Sequence, residues 1–593
     1  MIRKHVTFCL LVLSLLAGIE TGQSQFSRRY EGPDDPAGDQ AAVRSGRLTG
    51  NRMFFLLNNN SSICDTGHGQ AIWNKWPDLY TGFTMMHGVN AIMAARLFIE
   101  GESTPVTDPD RIAAGDYDHI LYSAQHGWRG RNDLDPTGTI EWGMKPIITY
   151  MNPLSETMAL SNDPNSWPIK GWPARGDELK WPGEWDGRFG RGVIYADLEA
   201  YYVINDAQDM EHLGPEDSVK YYPRPGIKIG YKDPNVTIQK GMDWGGIGLR
   251  EAIRVFQWNN PQARDAVFLE YTTANISDYD LPEMCFGFYL HPWIGQDQGL
   301  TGDDYLFFDK QIDMAYNWDR DGKGEGGIPT GAFGMAYLES PANPFDGQDN
   351  DEDGLIDESR DNLAARIVGP YEGIANLSNF LRFYNLTEDQ LKPHWDADED
   401  GDWQDGNDLN GNGIYDAGED PGDDVGLDGV GPGELNYTGP DEGECNHRPD
   451  FIEGIGCEPN FAFTDVSESD MLGLTSFHTY DHESHPRIHS DDETTWRYFA
   501  DASYDPFKDQ PGEWVNLFAT GTFALYRGRT ERISMGLVAS YDPAEGLNSP
   551  EHTAPSLYRK KEVAQIIYER DYRFTQPPKM PTLNASAGDG KVI

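Results

Sequence analysis

The chain has 593 residues and a formal net charge of −50, with 97 Asp and Glu against 47 Lys and Arg. That excess of negative charge argues against binding nucleic acid or docking on an anionic membrane, and it says little about fold. The length calls for several domains or one large β assembly, and 12 % aromatic residues with 65 Gly and 38 Pro favour strands and turns over helix bundles.

In chain order, residues 1–24 read as a secretory signal peptide. Arg3, Lys4 and His5 form the charged start, 6–19 is the apolar core, and Gly22-Gln-Ser24 places small residues at a cleavage point after Ser24. Residues 25–50 are a polar arm. The region 51–345 is expected to be β-rich and sandwich-like, opening with a strand at 53–57. The apolar run 89–99 suits a strand or a helix by length and pattern. Segment 160–190, rich in Trp, Pro and Gly, reads as ordered loops, and 193–204 as a strand. Runs 250–257, 266–277 and 283–294 give the clearest β signal, separated by turn clusters around Pro261 and Asp280. Short strands follow near Phe307, Tyr316 and 333–338. Residues 346–460 form an acidic segment with a helix at 374–384. The region 461–576 carries a hairpin, 518–526 with 531–540 around Arg527-Gly528, and a helix at 560–572 whose apolar face is Val563, Ile566 and Ile567. The fold class expected is mainly β: antiparallel sandwich-like domains, a loop-rich metal-binding segment and a few short helices.

The acidic segment holds the most specific pattern. Asp408-Leu-Asn410-Gly-Asn412-Gly413-Ile414-Tyr-Asp416-Ala-Gly-Glu419 matches a calcium-binding loop at every defined position. Calcium takes six to eight oxygen ligands. The alternate residues Asp408, Asn410 and Asn412 can aim side-chain oxygens at one point. Gly413 permits the sharp turn, Ile414 offers its carbonyl, Asp416 can act through water, and Glu419 can close the site with both oxygens. Asp349, Asp351, Asp353, Gly354, Leu355 and Asp357 repeat the first nine positions, with Arg360 where Glu should close the loop. Asp396, Asp398, Asp400, Gly401 and Asp402 repeat the first seven. Glu442, Glu444 and Asn446 keep the spacing, with His447 at the glycine position. From Pro393 to His447 there are seventeen Asp and Glu and no Lys or Arg. Such a run repels itself unless cations neutralise it. Ca2+ is the cofactor these residues call for, in a structural role. Without convincing flanking helices, the loops resemble thrombospondin type 3 and dockerin-like calcium loops.

Past Cys9, which lies in the leader, four cysteines remain: Cys64, Cys285, Cys445 and Cys457. Cys445 and Cys457 are close in sequence and are the favoured disulfide; Cys285 lies in an apolar strand-like run and reads as a buried thiol. Residues 577–593, with Pro581, Leu583, Gly588, Asp589 and Val592, resemble the first strand and turn of a fibronectin type III domain. A lone strand cannot bury its face, so a module downstream of this chain is expected.

Further short elements extend a resemblance over most of residues 50–593. They include Gly183-Glu-Trp185-Asp-Gly187, Phe256-Gln-Trp258-Asn and Tyr271-Thr-Thr-Ala-Asn275-Ile-Ser. Leu338-Glu-Ser340-Pro, Gly439-Pro-Asp441-Glu-Gly443-Glu, Gly473-Leu-Thr475-Ser-Phe477 and Thr530-Glu531-Arg532 continue it. Together they resemble uncharacterised multidomain exported bacterial surface proteins. That resemblance implies architecture and a secreted, extracellular or cell-surface location, without an activity.

Two clusters invite chemistry. His478, His482, His485 and His489 lie within twelve residues and could bind zinc, although Pro486 breaks any continuous helix through them. Trp167, Trp172, Trp181 and Trp185, beside Asp177, Glu178, Glu184 and Asp186, could stack on and hydrogen-bond a sugar, or could plug loops onto a sheet. No nucleophile elbow, Walker loop or dinucleotide fingerprint occurs, and no catalytic set stands out. The expected function is a non-catalytic, calcium-stabilised surface or matrix protein, structural or adhesive, with a cell-surface or matrix component as partner. The alternative is a secreted glycan-binding or glycan-hydrolysing protein using 167–186. No apolar run after the leader is long enough for a membrane helix.

Overall fold

The computed structural model describes residues 28–30, 32–33, 35–64, 74–101, 104–127, 141–173, 181, 186–187, 190–191, 196–209, 246–277, 279–295, 303–343, 347–350, 354, 356, 367–368, 371, 374–383, 387–388, 394–395, 415, 437–440, 444, 451–452, 456–457, 471–482, 484, 491–510, 512–569, 572, 587–588 and 591–592. Residues 1–24, expected to be a signal peptide, therefore lie outside the described residues.

Several long strands are buried almost throughout rather than alternating, among them Leu198–Asn205, Ala266–Asn275 and Trp514–Leu525. A strand reads that way when both of its faces are covered. Here two large antiparallel sheets face each other, and each is covered on its outer side as well. The fold is mainly β, as the sequence indicates. One sheet runs in the order Asp304–Asp309, Met314–Asp319, Ala332–Glu339, Arg529–Ser540, Ala266–Asn275, Leu249–Gln257, Leu198–Asn205, Lys145–Pro146, with Arg28–Arg29 also on Arg529–Ser540. The other runs Ser45–Leu48, Phe55–Asn58, Ser62–Ile63, Phe83–Glu100, Leu281–Pro292, Trp514–Leu525, Ser476–Asp481. The ambiguous run 89–99 is thus the middle of a long central strand.

Aromatic rings lock the sheets together. Tyr271 of the first sheet meets Phe286 and Phe288 of the second at 5.0 and 6.0 Å between centroids. Phe288 stacks on Phe518, and the Tyr337 hydroxyl crosses the gap to donate to the Phe286 carbonyl at 3.0 Å. Each such side chain stabilises the fold by about 1.5–3 kcal/mol through burial alone.

Two expectations are corrected. The segments 518–526 and 531–540 do not form a hairpin. Trp514–Leu525 pairs with Leu281–Pro292 and Ser476–Asp481, whereas Arg529–Ser540 pairs with Ala266–Asn275 and Ala332–Glu339. The turn is an arch from one sheet to the other, which gives each arm two partners and covers both of its apolar faces. The turn after Ala266–Asn275 is a second arch of the same kind, delivering Leu281–Pro292 to the opposite sheet. Strands from 51–345 and 461–576 therefore share both sheets. In the Pro555–Glu569 helix, the buried stripe is Leu557, Ala564, Ile567 and Tyr568, and Ile566 is 44 % exposed. At 3.6 residues per turn, a stripe centred on Leu557, Ala564 and Tyr568 puts Ile566 on the opposite side. This helix covers the outer face of the first sheet.

Over the outer face of the second sheet lies Asp492–Ala500, a helix the sequence reading omits. Asp491 caps it by accepting from the Thr494 N–H at 2.7 Å, and Trp496 and Phe499 enter a cluster with Ile92, Tyr289 and Leu517. The 374–384 helix is observed as Leu377–Phe383. Ala342 bridges Met471, and the Leu472 N–H donates to the Pro341 carbonyl at 3.0 Å. The acidic segment therefore leaves the sandwich and returns to it at neighbouring points. Cys64 and Cys285 are buried thiols; Cys445 lies outside the described residues. Of 577–593, Ala587–Gly588 and Lys591–Val592 are described, and they pair antiparallel. No helix among the described residues is long and apolar enough to cross a membrane.

Candidate metal centres

Of the predicted calcium ligands, Asp349 is described. Asp351, Asp353, Leu355, Asp357, Asp396, Asp398, Asp400, Asp402, Asp408, Asn410, Asn412, Ile414, Asp416 and Glu419 lie outside the described residues. The Gly354 N–H donates to Asp349 Oδ2 at 3.0 Å, closing the turn from the first to the sixth position of that loop. Gly354 has φ +104°, and a Cβ there would stand 2.6 Å from the Asn376 carbonyl oxygen and 2.7 Å from the Phe380 nitrogen. A side chain at 354 is therefore excluded twice, by backbone conformation and by the helix packed over the turn. Within the best-matching loop, the Tyr415 N–H donates to the Glu444 carbonyl at 3.0 Å, and Tyr437 Oη donates to the buried Glu444 carboxylate at 2.9 Å.

The structure adds a carboxylate cluster that the sequence reading missed. Asp304 and Asp319 face each other at the first register step of the outermost strand pair, and the Arg320 N–H donates to the Asp303 carbonyl at 3.0 Å. One carboxylate oxygen from each of Asp303, Asp304 and Asp319 lies within 4.8 Å of the other two. Asp304 is 5 % exposed; its Oδ2 accepts from the Ile294 N–H at 3.1 Å, while its Oδ1, also buried, has no hydrogen-bond partner among the described residues. Asp319 Oδ1 accepts from the N–H groups of Asp321 and Lys323 at 3.1 and 3.0 Å, which folds Asp319-Arg-Asp321-Gly-Lys323 into a tight loop. Burial pushes the Asp319 carboxyl up to about 7, with the Asp303 and Asp321 charges adding to it against the Lys323 N–H. Asp304 is pushed well above the usual carboxylate range, chiefly by burial. Crowding ionisable oxygens in a buried site is costly unless a cation enters. The signal was present: Asp319-Arg-Asp321-Gly alternates acidic residues before a glycine, but Asp303 and Asp304 join it only through strand pairing.

The histidines divide. His478 Nε2 lies 2.9 Å from Asp501 Oδ1 and its Nδ1 3.5 Å from Asp505, and its ring stacks on Tyr498. His482 instead meets His291, their ring centroids 4.9 Å apart, and His291 Nε2 lies 3.4 Å from Glu513 Oε1. The His291 hydrogen bond holds the Glu513 carboxyl below its ordinary value despite partial burial. His485 and His489 lie outside the described residues.

The tryptophans pack inward. Trp172 and Trp181 are buried, set edge to face at 5.5 Å, and Trp172 lies on Tyr201 at 5.6 Å. Trp181 Nε1 donates to Glu199 Oε2 at 2.7 Å, and the buried Arg254 guanidinium donates to the same oxygen at 2.8 Å. Trp172 and Trp181 thus seal part of the outer face of the first sheet, with the half-buried Trp167 packed against them; Trp185 lies outside the described residues. No family model matches the chain, and no curated protein is detectably similar to it.

Proposed function

We propose that the chain is an exported, non-catalytic surface or matrix protein, structural or adhesive, held rigid by calcium. The observation that carries this reading is the Asp303–Asp304–Asp319 cluster, in which the buried Asp304 Oδ1 has no hydrogen-bond partner among the described residues. Oxygens on a calcium ion, at 2.3–2.6 Å, lie at most about 5 Å apart, so oxygens within 4.8 Å of one another suit one ion. The loops of 346–460 would extend the same chemistry along the acidic excursion. Asp349 and Gly354 already hold the turn such a loop requires. The signal-like start at Arg3–Ile19 supports export, where extracellular calcium modules bind at roughly 10⁻⁴–10⁻³ M. A cell-surface or matrix component is the partner this reading implies.

Limited proteolysis of the chain tests it. Calcium should protect the acidic excursion from cleavage where magnesium and chelator do not. Identical digestion patterns in all three conditions would sink the reading.

A further inference from the structure

The second sheet carries a site of different chemistry. Tyr289, Tyr480 and Val515 all belong to the cluster beneath the Asp492–Ala500 helix. Side chains along a strand return to the same face every second residue. Two residues on from each of them, on the same three strands or their ends, stand His291, His482 and Glu513. The ladder fixes this register. Tyr480 pairs with Val515 and Asp481 with Trp514, and the His482 N–H donates to the Glu513 carbonyl at 2.9 Å. On the far side, Gly88 pairs with His291 and Met86 with Pro292, so His87 is the extra residue of a β-bulge. Bulges re-aim side chains. Here the His87 ring packs 4.8 Å from His291 and 4.4 Å from Trp293. Four strands that are distant in sequence thus bring three histidines and a carboxylate to one rim.

We propose that His291, His482 and Glu513 bind a first-row divalent transition ion, zinc being the best match, with the fourth position left to solvent beside His87. One ligand atom from each of the three lies within 4.8 Å of the others. The 3.4 Å from His291 Nε2 to Glu513 Oε1 equals the edge of a tetrahedron with bonds of about 2.0–2.1 Å. Two imidazoles with one carboxylate select zinc-like ions, whereas the all-oxygen Asp303–Asp304–Asp319 cluster suits calcium. His291 is buried while His482 and Glu513 are half-buried, so among the described residues the site is walled on one side and partly accessible on the other. Three protein ligands with an accessible fourth position is the arrangement in which zinc activates a water or accepts an exogenous donor.

The test is zinc titration of the chelator-treated chain against a chromophoric competitor, with cobalt as a spectroscopic substitute. One zinc per chain should bind, and Glu513→Gln, close to the same shape, should weaken it at least tenfold. The pair His291→Ala and His482→Ala should abolish it at an unchanged circular dichroism spectrum. His478→Ala should leave it intact, as should His87→Ala, and azide should shift the visible bands of the cobalt form. Absence of tight zinc binding, or binding that survives the double histidine variant, would overturn the site. Loss of zinc on His87→Ala with no azide response would overturn the open fourth position.

Discussion

Glu251 shows how a single side chain records the cost of a two-faced sheet. It lies on Leu249–Gln257, is 1 % exposed, and accepts from Thr273 Oγ1 at 3.2 Å. Burial pushes its carboxyl from 4.5 up to about 8, against the hydrogen bonds of Thr273 and Ser61. Between those values the folded chain keeps a proton that the unfolded chain releases. Stability contributed by this group therefore falls as pH rises from about 4.5 to about 8 and is level outside that window. Glu251→Gln keeps an acceptor for Thr273 and cannot ionise. At pH 7 the variant should be more stable by roughly 3 kcal/mol, with parity near pH 4. Urea unfolding at the two pH values decides this, and equal wild-type and variant stabilities at pH 7 would contradict it. Trp181 makes the opposite case. Its removal empties the outer layer and takes one donor from Glu199, so Trp181→Ala should cost about 3–5 kcal/mol by the same measurement. A loss below 1 kcal/mol would mean that the ring is not the seal described.

At the scale of elements, the two arches explain why strand periodicity was legible and pairing was not. Apolar runs mark Ala266–Asn275, Leu281–Pro292, Trp514–Leu525 and Arg529–Ser540 well, because burial on both faces is written in composition. Whether a short turn joins partners or crosses between sheets depends on contacts from elsewhere in the chain. Asn275 supplies them. Its Nδ2 donates to the carbonyls of Tyr279 and Leu525 at 2.8 and 2.9 Å, its Oδ1 accepts from Ser277, and its carbonyl accepts from the Gly528 N–H at 2.8 Å. One buried asparagine thus ties both arches together. Asn275→Ala removes the side-chain donor to the buried Leu525 carbonyl, while Ser277 Oγ still reaches the Tyr279 carbonyl at 2.9 Å, and should cost about 1–3 kcal/mol. Hydrogen exchange should show faster opening at both 276–280 and 526–528; a change confined to one arch would contradict the coupling. The missed Asp492–Ala500 helix had a legible start in Asp491-Asp-Glu-Thr, whereas its packing partners lie on five strands gathered from elsewhere in the chain.

At the scale of the molecule, the sandwich is closed by strands from both ends of the chain, and the acidic segment is an excursion between Ala342 and Met471. The loop spacing at Asp408–Glu419 and Asp349–Asp357 could be read directly, because a calcium loop is local in sequence. The Asp303–Asp304–Asp319 and His291–His482–Glu513 groups could not, because their members meet only through strand register. An ion that binds the folded chain alone stabilises it by about 2.7 kcal/mol at 100 times its dissociation constant. The most direct measurement is thermal unfolding of the intact chain and of Asp304→Asn, each with calcium, magnesium and chelator. The account predicts that calcium, and not magnesium, raises the wild-type transition by a few degrees, and that Asp304→Asn loses much of that rise while melting above the wild type in chelator, where the buried carboxyl it replaces is uncompensated. A wild-type transition indifferent to calcium would contradict it.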